Sequence, residues 1–476
     1  MHAHYGRRYR WLLLLAVMTG TMASIMSSTI VNVAIPDMSR HFTLGQGRAQ
    51  WVTSGFMVAM TVSMLTTPWL LGRYGYRRTY VGTMLLLLAG GICGGFSNDF
   101  AVLLSARVAE GLAAGVVQPI PVIIIMRAFE PHEQGRAGGI FGMGVVLAPA
   151  IGPSVGGVLV DLFGWRSIFF MVVPFCLASL WMAYRYVPVT APGGAAADRN
   201  GATLDWRGLL LAGLGTLCLL NALVALHGGD RAQWAVLISA FALSLLGFVA
   251  WQRHLSRSGR EPLMNLSLFG QREFGMGSIV AFIYGTALFG STYLLPVYMQ
   301  MALGLSASYV GSILLPAGLL LAVTIALAGR LADRHPAYLL LSGGLTLLAL
   351  SFALPLTVTL NSPVWLLVTL AILGRIGLGF ILPSLNLGSL RKLHAHQISQ
   401  GSSAINFMRM LGGAIGVSLC GIMLEWRLAA HGDSLTYAAS SPQRLAAFNE
   451  VFVMLSLLCA LALLAAWRLR DAPAVG

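Results

Sequence analysis

The chain is 476 residues long, 57% hydrophobic and 10% charged, with a mean hydropathy of +0.78. Polar surface is too scarce to cover a water-soluble globule of this size, so composition excludes a soluble enzyme or binding domain and implies an integral membrane protein. The formal charge of +14 does not imply nucleic-acid binding, because the basic residues lie singly or in small groups between apolar runs.

Arg7, Arg8 and Arg10 precede an apolar run, 11–35, that is too long for the core of a signal peptide and lacks an evident cleavage site. It is expected to be the first retained span. Further runs of about twenty residues lie at 50–71, 79–97, 101–126, 137–160, 167–187, 207–227, 234–252, 274–299, 307–328, 337–356, 364–390, 400–424 and 447–467, which predicts fourteen membrane helices. Sorted onto the loops between them, 21 Lys and Arg residues fall on the side of the termini and 6 on the other, which places both termini in the cytoplasm. Cys93, Cys176, Cys218, Cys420 and Cys459 all lie within apolar runs without metal-ligand spacing and read as packing residues.

The two ends of the chain echo each other. Arg107-x-x-x-Gly111 corresponds to Arg375-x-x-x-Gly379 at an offset of 268, and Ala150-Ile-Gly152-x-Ser154 to Ala414-Ile-Gly416-x-Ser418 at an offset of 264. Pro68 to Arg73 corresponds to Gly329 to Arg334 at 261. Three short matches at nearly one offset predict that spans one to six repeat as nine to fourteen. The expected organisation is an N-terminal six-helix bundle (1–187), a linker with an extra helix pair (188–273) and a C-terminal six-helix bundle (274–476). In repeats of this kind, substrate binds near the midplane and one half rocks against the other.

Span five crowds glycine and proline into a helix: Gly152-Pro153-x-x-Gly156-Gly157. In water each would be penalised, by roughly 1 kcal/mol for glycine and 3 for proline, whereas in lipid small residues let helices touch and neighbouring groups satisfy the freed backbone. That spacing resembles the antiporter motif of the major facilitator superfamily. Thr29-Ile-Val-Asn32-Val-Ala-Ile-Pro36, Trp165-Arg166 with Phe169-Phe170, and Leu295-Pro296-Val-Tyr-Met-Gln300 are similar to the fourteen-span drug:proton antiporters of the EmrB/QacA type. The resemblance spans nearly the whole chain. It implies an all-α major facilitator fold and proton-driven export from the cytoplasmic (inner) membrane, with no cofactor beyond the coupling proton. It also implies a cytoplasmic latch: Gly329-Arg-Leu-Ala-Asp333-Arg334 matches the family's loop motif, with Arg73 and Arg77 in the first-half copy, where Gly72 stands in place of the usual Asp. EmrB-type members work with a periplasmic adaptor protein through an extended outer loop, but here the corresponding loop, 425–450, is short.

Glu110 is the one carboxylate well inside a span. An ionised acid there costs on the order of 2.5 to 3.5 kcal/mol, which makes it a functional candidate, and Arg107 lies three positions earlier on the same face. In the resembling family Gln usually stands at the Glu110 position and Asp at the Ser27 position, so Glu110 reads either as the proton site or as half of a static ion pair. Arg375 and Arg409 lie about 16 and 13 Å into their spans at helical rise, too deep for easy snorkelling. With a single acid among these cations, a cavity lined by them would favour anionic, zwitterionic or neutral amphiphiles. Asn32, Gln118, Asn386 and Asn406 read as substrate contacts or as interhelical hydrogen bonds.

The expected function is export of small amphiphilic molecules in exchange for protons. A symporter or facilitator for a metabolite is the alternative on the same fold. No phosphate-binding loop, metal-spaced cluster or nucleophile constellation points to an enzyme.

Overall fold

The computed structural model describes residues 8–43, 46–190, 192, 203–227, 231–359, 362–433 and 441–469. Arg7, Arg199, Arg470 and most of the 188–204 linker lie outside these, as do the side chains of Pro36, Arg48, Pro149, Pro153 and Ser154.

The described chain is helical throughout. Its first part runs α1 (Arg8–His41), α2 (Gln46–Ser63), α3 (Thr67–Tyr74), α4 (Tyr76–Gly95), α5 (Phe100–Val117), α6 (Ile120–Ala128), α7 (Gln134–Phe163) and α8 (Ser167–Tyr186). There follow α9 (Trp206–His227), α10 (Arg231–Arg257), α11 (Arg272–Val297), α12 (Ala307–Ala332), α13 (Ala337–Ala353), α14 (Val364–Leu390), α15 (Ile398–Ala430) and α16 (Pro442–Trp467). Lipid cannot hydrogen-bond a bare backbone, so apolar runs of this length close their bonds internally as helices.

Two of the longer spans break at a proline, which offers no N–H to the helix, although Pro174, Pro316 and Pro383 lie within continuous helices. Pro68 opens α3 and Pro121 opens α6, so the predicted second and fourth spans are each built of two helical segments. After Pro296 the ninth continues as a π-turn, Tyr298–Ala302. By contrast α7, the richest in glycine and proline, is one continuous helix. The last span begins earlier than hydropathy suggests, at Pro442 rather than 447, because Ser441 caps it by accepting from Arg444 N.

Among the described residues twelve helices are long and apolar enough to cross a membrane. Two further helices, α4 with 20 residues and α7 with 30, coincide with expected spans 79–97 and 137–160 but are not among those twelve. Arg77, Arg78 and five glycines lower the hydropathy of α4.

The chain forms two compact units: 1–214 with 244–266 and 393–407, and 215–243 with 267–392 and 408–476. In the first, α5 packs on α2 and α4, and α4 on α8; in the second, α14 packs on α12 and α13, and α13 on α16. The paired motifs occupy equivalent places in these two arrangements. A Cβ at Gly111 would lie 2.4 Å from Phe56 O on α2, and one at Gly379 would lie 2.7 Å from Thr324 on α12. Likewise Gly152 faces Thr29 of α1, as Gly416 faces Thr286 of α11. At these two glycine pairs the matched sequence positions make matching helix contacts. The core of the first unit near the candidate site is built by Ile30, Val31, Val52, Leu103, Ile168 and Phe169.

Candidate functional site

The spacing of Arg107 and Glu110 puts both on one face of α5, and the fold seals that face. Arg107 Nη1 donates to Glu110 Oε2 at 2.6 Å, and both residues are 0% exposed. The same nitrogen donates to Ser27 Oγ at 3.0 Å and to Ser27 O at 3.2 Å on α1, while Nε donates to Val52 O at 3.4 Å on α2. The guanidinium carbon stands 4.3 Å from the centre of the Phe56 ring, a cation–π contact that replaces part of the lost hydration.

Two glycines of α4 make the room for the acid. A Cβ at Gly90 would come within 2.7 Å of Glu110 Cγ and 3.1 Å of Ala106 O, and one at Gly91 would lie 3.2 Å from Phe169 O. No larger residue fits between α4 and α5 without moving them. Even so, the site's polar demand is only partly met: Arg107 Nη2 and Glu110 Oε1 are buried without a hydrogen-bond partner. An unpartnered carboxylate oxygen away from water is costly, and a proton placed on it would neutralise the acid.

The glycines of the α7 motif pack on α1, the helix that carries Ser27. A Cβ at Gly144 would lie 3.0 Å from Met18 Sδ, at Gly152 3.1 Å from Thr29 Oγ1, at Gly156 2.4 Å from Ile30 Cγ1 and at Gly157 3.9 Å from Val33 Cγ1. Close helix contact is therefore what the small residues achieve here; the side chain of Pro153 is outside the described residues.

The other singled-out residues are dispersed. Asn32 is exposed and its Oδ1 accepts from Thr53 Oγ1 at 3.2 Å. Gln118 is buried at the junction of α5 and α6, and Asn406 is buried and donates to Ser402 O at 2.9 Å within its own helix. Asn386 is half-buried on α14. Arg375 on α14 and Arg409 on α15 are half-buried and lie within electrostatic range of the buried Tyr284 hydroxyl of α11. Of the residues expected to form a latch, Arg77 Nε donates to Val187 O at 2.7 Å at the end of α8, while Arg73 and Arg334 are exposed and Asp333 caps the end of α12. Gly75, at φ 78, allows this approach, for a Cβ there would meet Val189 O at 2.4 Å. Asp37 pairs with Arg40 at 2.8 Å and Asp161 is exposed, both near helix ends. All five cysteines are free, four of them buried.

Sequence reasoning passed over two clusters. Arg10, counted only as a topology charge, is 7% exposed and pairs with Glu130 at 3.4 Å and Glu133 at 3.0 Å, and its guanidinium lies 5.8 Å from the centre of the Phe129 ring. Asp205 accepts from Gly208 N at 2.8 Å, Trp251 Nε1 at 2.8 Å and Gln252 Nε2 at 2.7 Å, which ties α9 to α10. An Asp just before a helix was a capping signal for the second; nothing in the sequence indicated its partners on α10.

Long apolar helices, two units with recurring packing and a charge pair sealed inside one of them define a membrane transporter. The chain belongs to the Major Facilitator Superfamily, which it matches over residues 17–417. It is 30% identical over 413 residues to the multidrug resistance protein B homolog of Mycobacterium tuberculosis strain H37Rv, covering 85% of this chain and 75% of that one. It is 28% identical to the multidrug export protein EmrB of Haemophilus influenzae, covering 89% and 82%. A riboflavin transporter, RibZ of Clostridioides difficile, is 24% identical, covering 86% and 87%. Among solved structures, the human organic anion transporter MFSD10 superposes with a TM-score of 0.66 at 14% identity, covering 96% of this chain and 99% of that one. Membership of a transporter family, with relatives named as multidrug exporters, agrees with the resemblance read from the motifs and assigns the chain to transport rather than to enzymatic chemistry.

Proposed function

We propose that the protein is a fourteen-span proton-coupled exporter of amphiphilic small molecules, with α4 and α7 crossing the membrane beside the twelve more apolar spans. It would lie in the cytoplasmic membrane with both termini inside and the repeats at 1–187 and 274–476. The observation that carries the reading is the Arg107 to Glu110 pair, 2.6 Å apart at zero exposure, with one carboxylate oxygen left unpartnered.

Protonation of Glu110 changes the charge of this site from neutral to +1. Arg107 then keeps only Ser27, the Val52 carbonyl and the Phe56 ring, so a conformation that hydrates or neutralises it gains relative to the sealed one. Substrate binding that favours the deprotonated form would make proton and substrate antagonists, which is the thermodynamic content of antiport. The glycines of α7 that pack on α1 would let these helices slide at close range.

The test is substrate-induced proton release from proteoliposomes with an imposed pH gradient, comparing the natural chain with Glu110→Gln. Antiport through Glu110 requires release that disappears in the variant while substrate binding persists. Unchanged release would reduce Glu110 to a structural partner of Arg107. One relative is named a riboflavin transporter, which favours a metabolite symporter or facilitator as the second reading. Substrate uptake accompanied by proton entry in the same vesicles would select it.

A further inference from the structure

The repeat keeps the arginine of α5 in α14 but drops its counter-charge. Arg375 corresponds to Arg107 at the offset of 268, and three residues on, where α5 has Glu110, α14 has Leu378, 1% exposed. Of the described carboxylates of this unit, Glu273 is paired with Lys392, Asp433 with Arg444 and Glu450 with Arg427, Asp333 caps α12, and Glu425 is near the end of α15. None pairs with Arg375, whose electrostatic neighbour is the Tyr284 hydroxyl. Arg409 adds a second positive charge to the same tyrosine's surroundings.

Arg375 also lines a pocket with Ser291, Ser351, Tyr298, Phe352 and Leu378. The pocket's 20 Å³ accommodates a water-sized group, enough for an oxygen of a head group but not for a substrate's body. A guanidinium roughly 16 Å along a membrane helix, half-buried and away from carboxylates, is a favourable place for an anion to join. The Ser291 and Ser351 hydroxyls donate within their own helices, to Leu288 O at 3.1 Å and Leu348 O at 2.7 Å, but the buried Tyr298 hydroxyl in the same lining has no hydrogen-bond partner, and it and the guanidinium's N–H fork are donors that suit an oxyanion.

We propose that Arg375, with Tyr284 and Arg409 beside it, forms an anion-recognising subsite in the second unit, and that the exported molecules are amphiphilic monoanions carrying a carboxylate, sulfonate or phosphate head. The substrate supplies the negative charge that ionised Glu110 supplies in the first unit. This rests on the transporter reading but not on proton coupling through Glu110.

The experiment is equilibrium binding to the full-length protein in nanodiscs, without any ion gradient, of three ligands sharing one apolar body: octylbenzoate, octylbenzamide and octylbenzyl-trimethylammonium. The natural chain should prefer the benzoate to the amide by roughly tenfold or more. Arg375→Gln should remove that preference while leaving amide binding unchanged, and Arg375→Lys should retain part of it. Leu378→Glu, which rebuilds the internal pair, should also abolish it, with melting temperature reporting that the variant is folded. An equal affinity for benzoate and amide in the natural chain, a preference for the cation, or a preference that survives Arg375→Gln overturns the proposal. Unchanged proton release in Glu110→Gln with the benzoate preference intact overturns coupling through Glu110 but not the subsite, whereas loss of release without any benzoate preference overturns the subsite but not the coupling.

Discussion

Ser27 and Glu110 share a donor: Arg107 Nη1 gives hydrogen bonds to the Ser27 hydroxyl at 3.0 Å and to the Glu110 carboxylate at 2.6 Å. The drug:proton antiporters that the chain resembles usually carry an acid at the Ser27 position. Here the two positions, 80 residues from the serine to the arginine, converge on one guanidinium. An acid placed at position 27 would lie within reach of the same guanidinium. Ser27→Asp combined with Glu110→Gln should restore the substrate-induced proton release that Glu110→Gln alone abolishes. A double variant as silent as the single one would show that the acid's place on α5 is itself required.

Removing one member of the pair should be far worse than removing both. Glu110→Leu leaves Arg107 buried without its counter-charge and should cost about 3 to 5 kcal/mol, whereas Arg107→Met with Glu110→Leu should recover most of that loss. Melting temperatures in detergent of the two variants and the natural chain decide the matter. Equal destabilisation by both would mean that the sealed core around Phe56, not the charge pair, sets stability.

Gly156 meets α1 more closely than its motif neighbours, with Ile30 2.4 Å from where a Cβ would stand. Gly156→Ala should cost roughly 1 to 3 kcal/mol by overpacking and slow transport at least tenfold. Gly138, on the same helix with open space at its Cβ, provides the control, and Gly138→Ala should leave transport unchanged. Vesicle transport rates and melting temperatures of the pair provide the comparison.

Asp205 holds the cytoplasmic end expected for the α9 and α10 hairpin by three hydrogen bonds. Asp205→Ala removes a helix cap and strands the Gln252 and Trp251 donors, so it should cost about 2 kcal/mol or more. If the extra pair only scaffolds the bundles, transport per folded molecule should stay near that of the natural chain. A selective loss of transport at unchanged melting temperature would give the hairpin a direct part in the cycle.

Much of this architecture follows from local rules. Hydrocarbon thickness demands about twenty apolar residues per crossing, and twelve of the fourteen expected spans coincide with helices long and apolar enough to cross a membrane among the described residues. The three-residue spacing of Arg107 and Glu110 forces them onto one face, which made their pairing legible without coordinates. Helix breaks were less so: prolines 119 and 121 interrupt the fourth span, while α7 runs on despite its own prolines. The outcome depends on which neighbours satisfy the freed carbonyls, and a linear reading does not contain them.

By itself, the sequence determined that the chain lives in lipid, that three short motifs recur at nearly one offset, and that one acid and its arginine lie in an apolar run. Only the tertiary structure decided that the acid is sealed rather than wet, because that depends on Gly90 and Gly91 of α4 standing opposite it and on Ser27 and Phe56 closing over the arginine. It also decided that Arg375 differs from its counterpart, being half-buried beside Tyr284 where Arg107 is fully enclosed. Burial and counter-charge are properties of several helices meeting at one point, and residues far apart in the chain acquire them only when the helices pack.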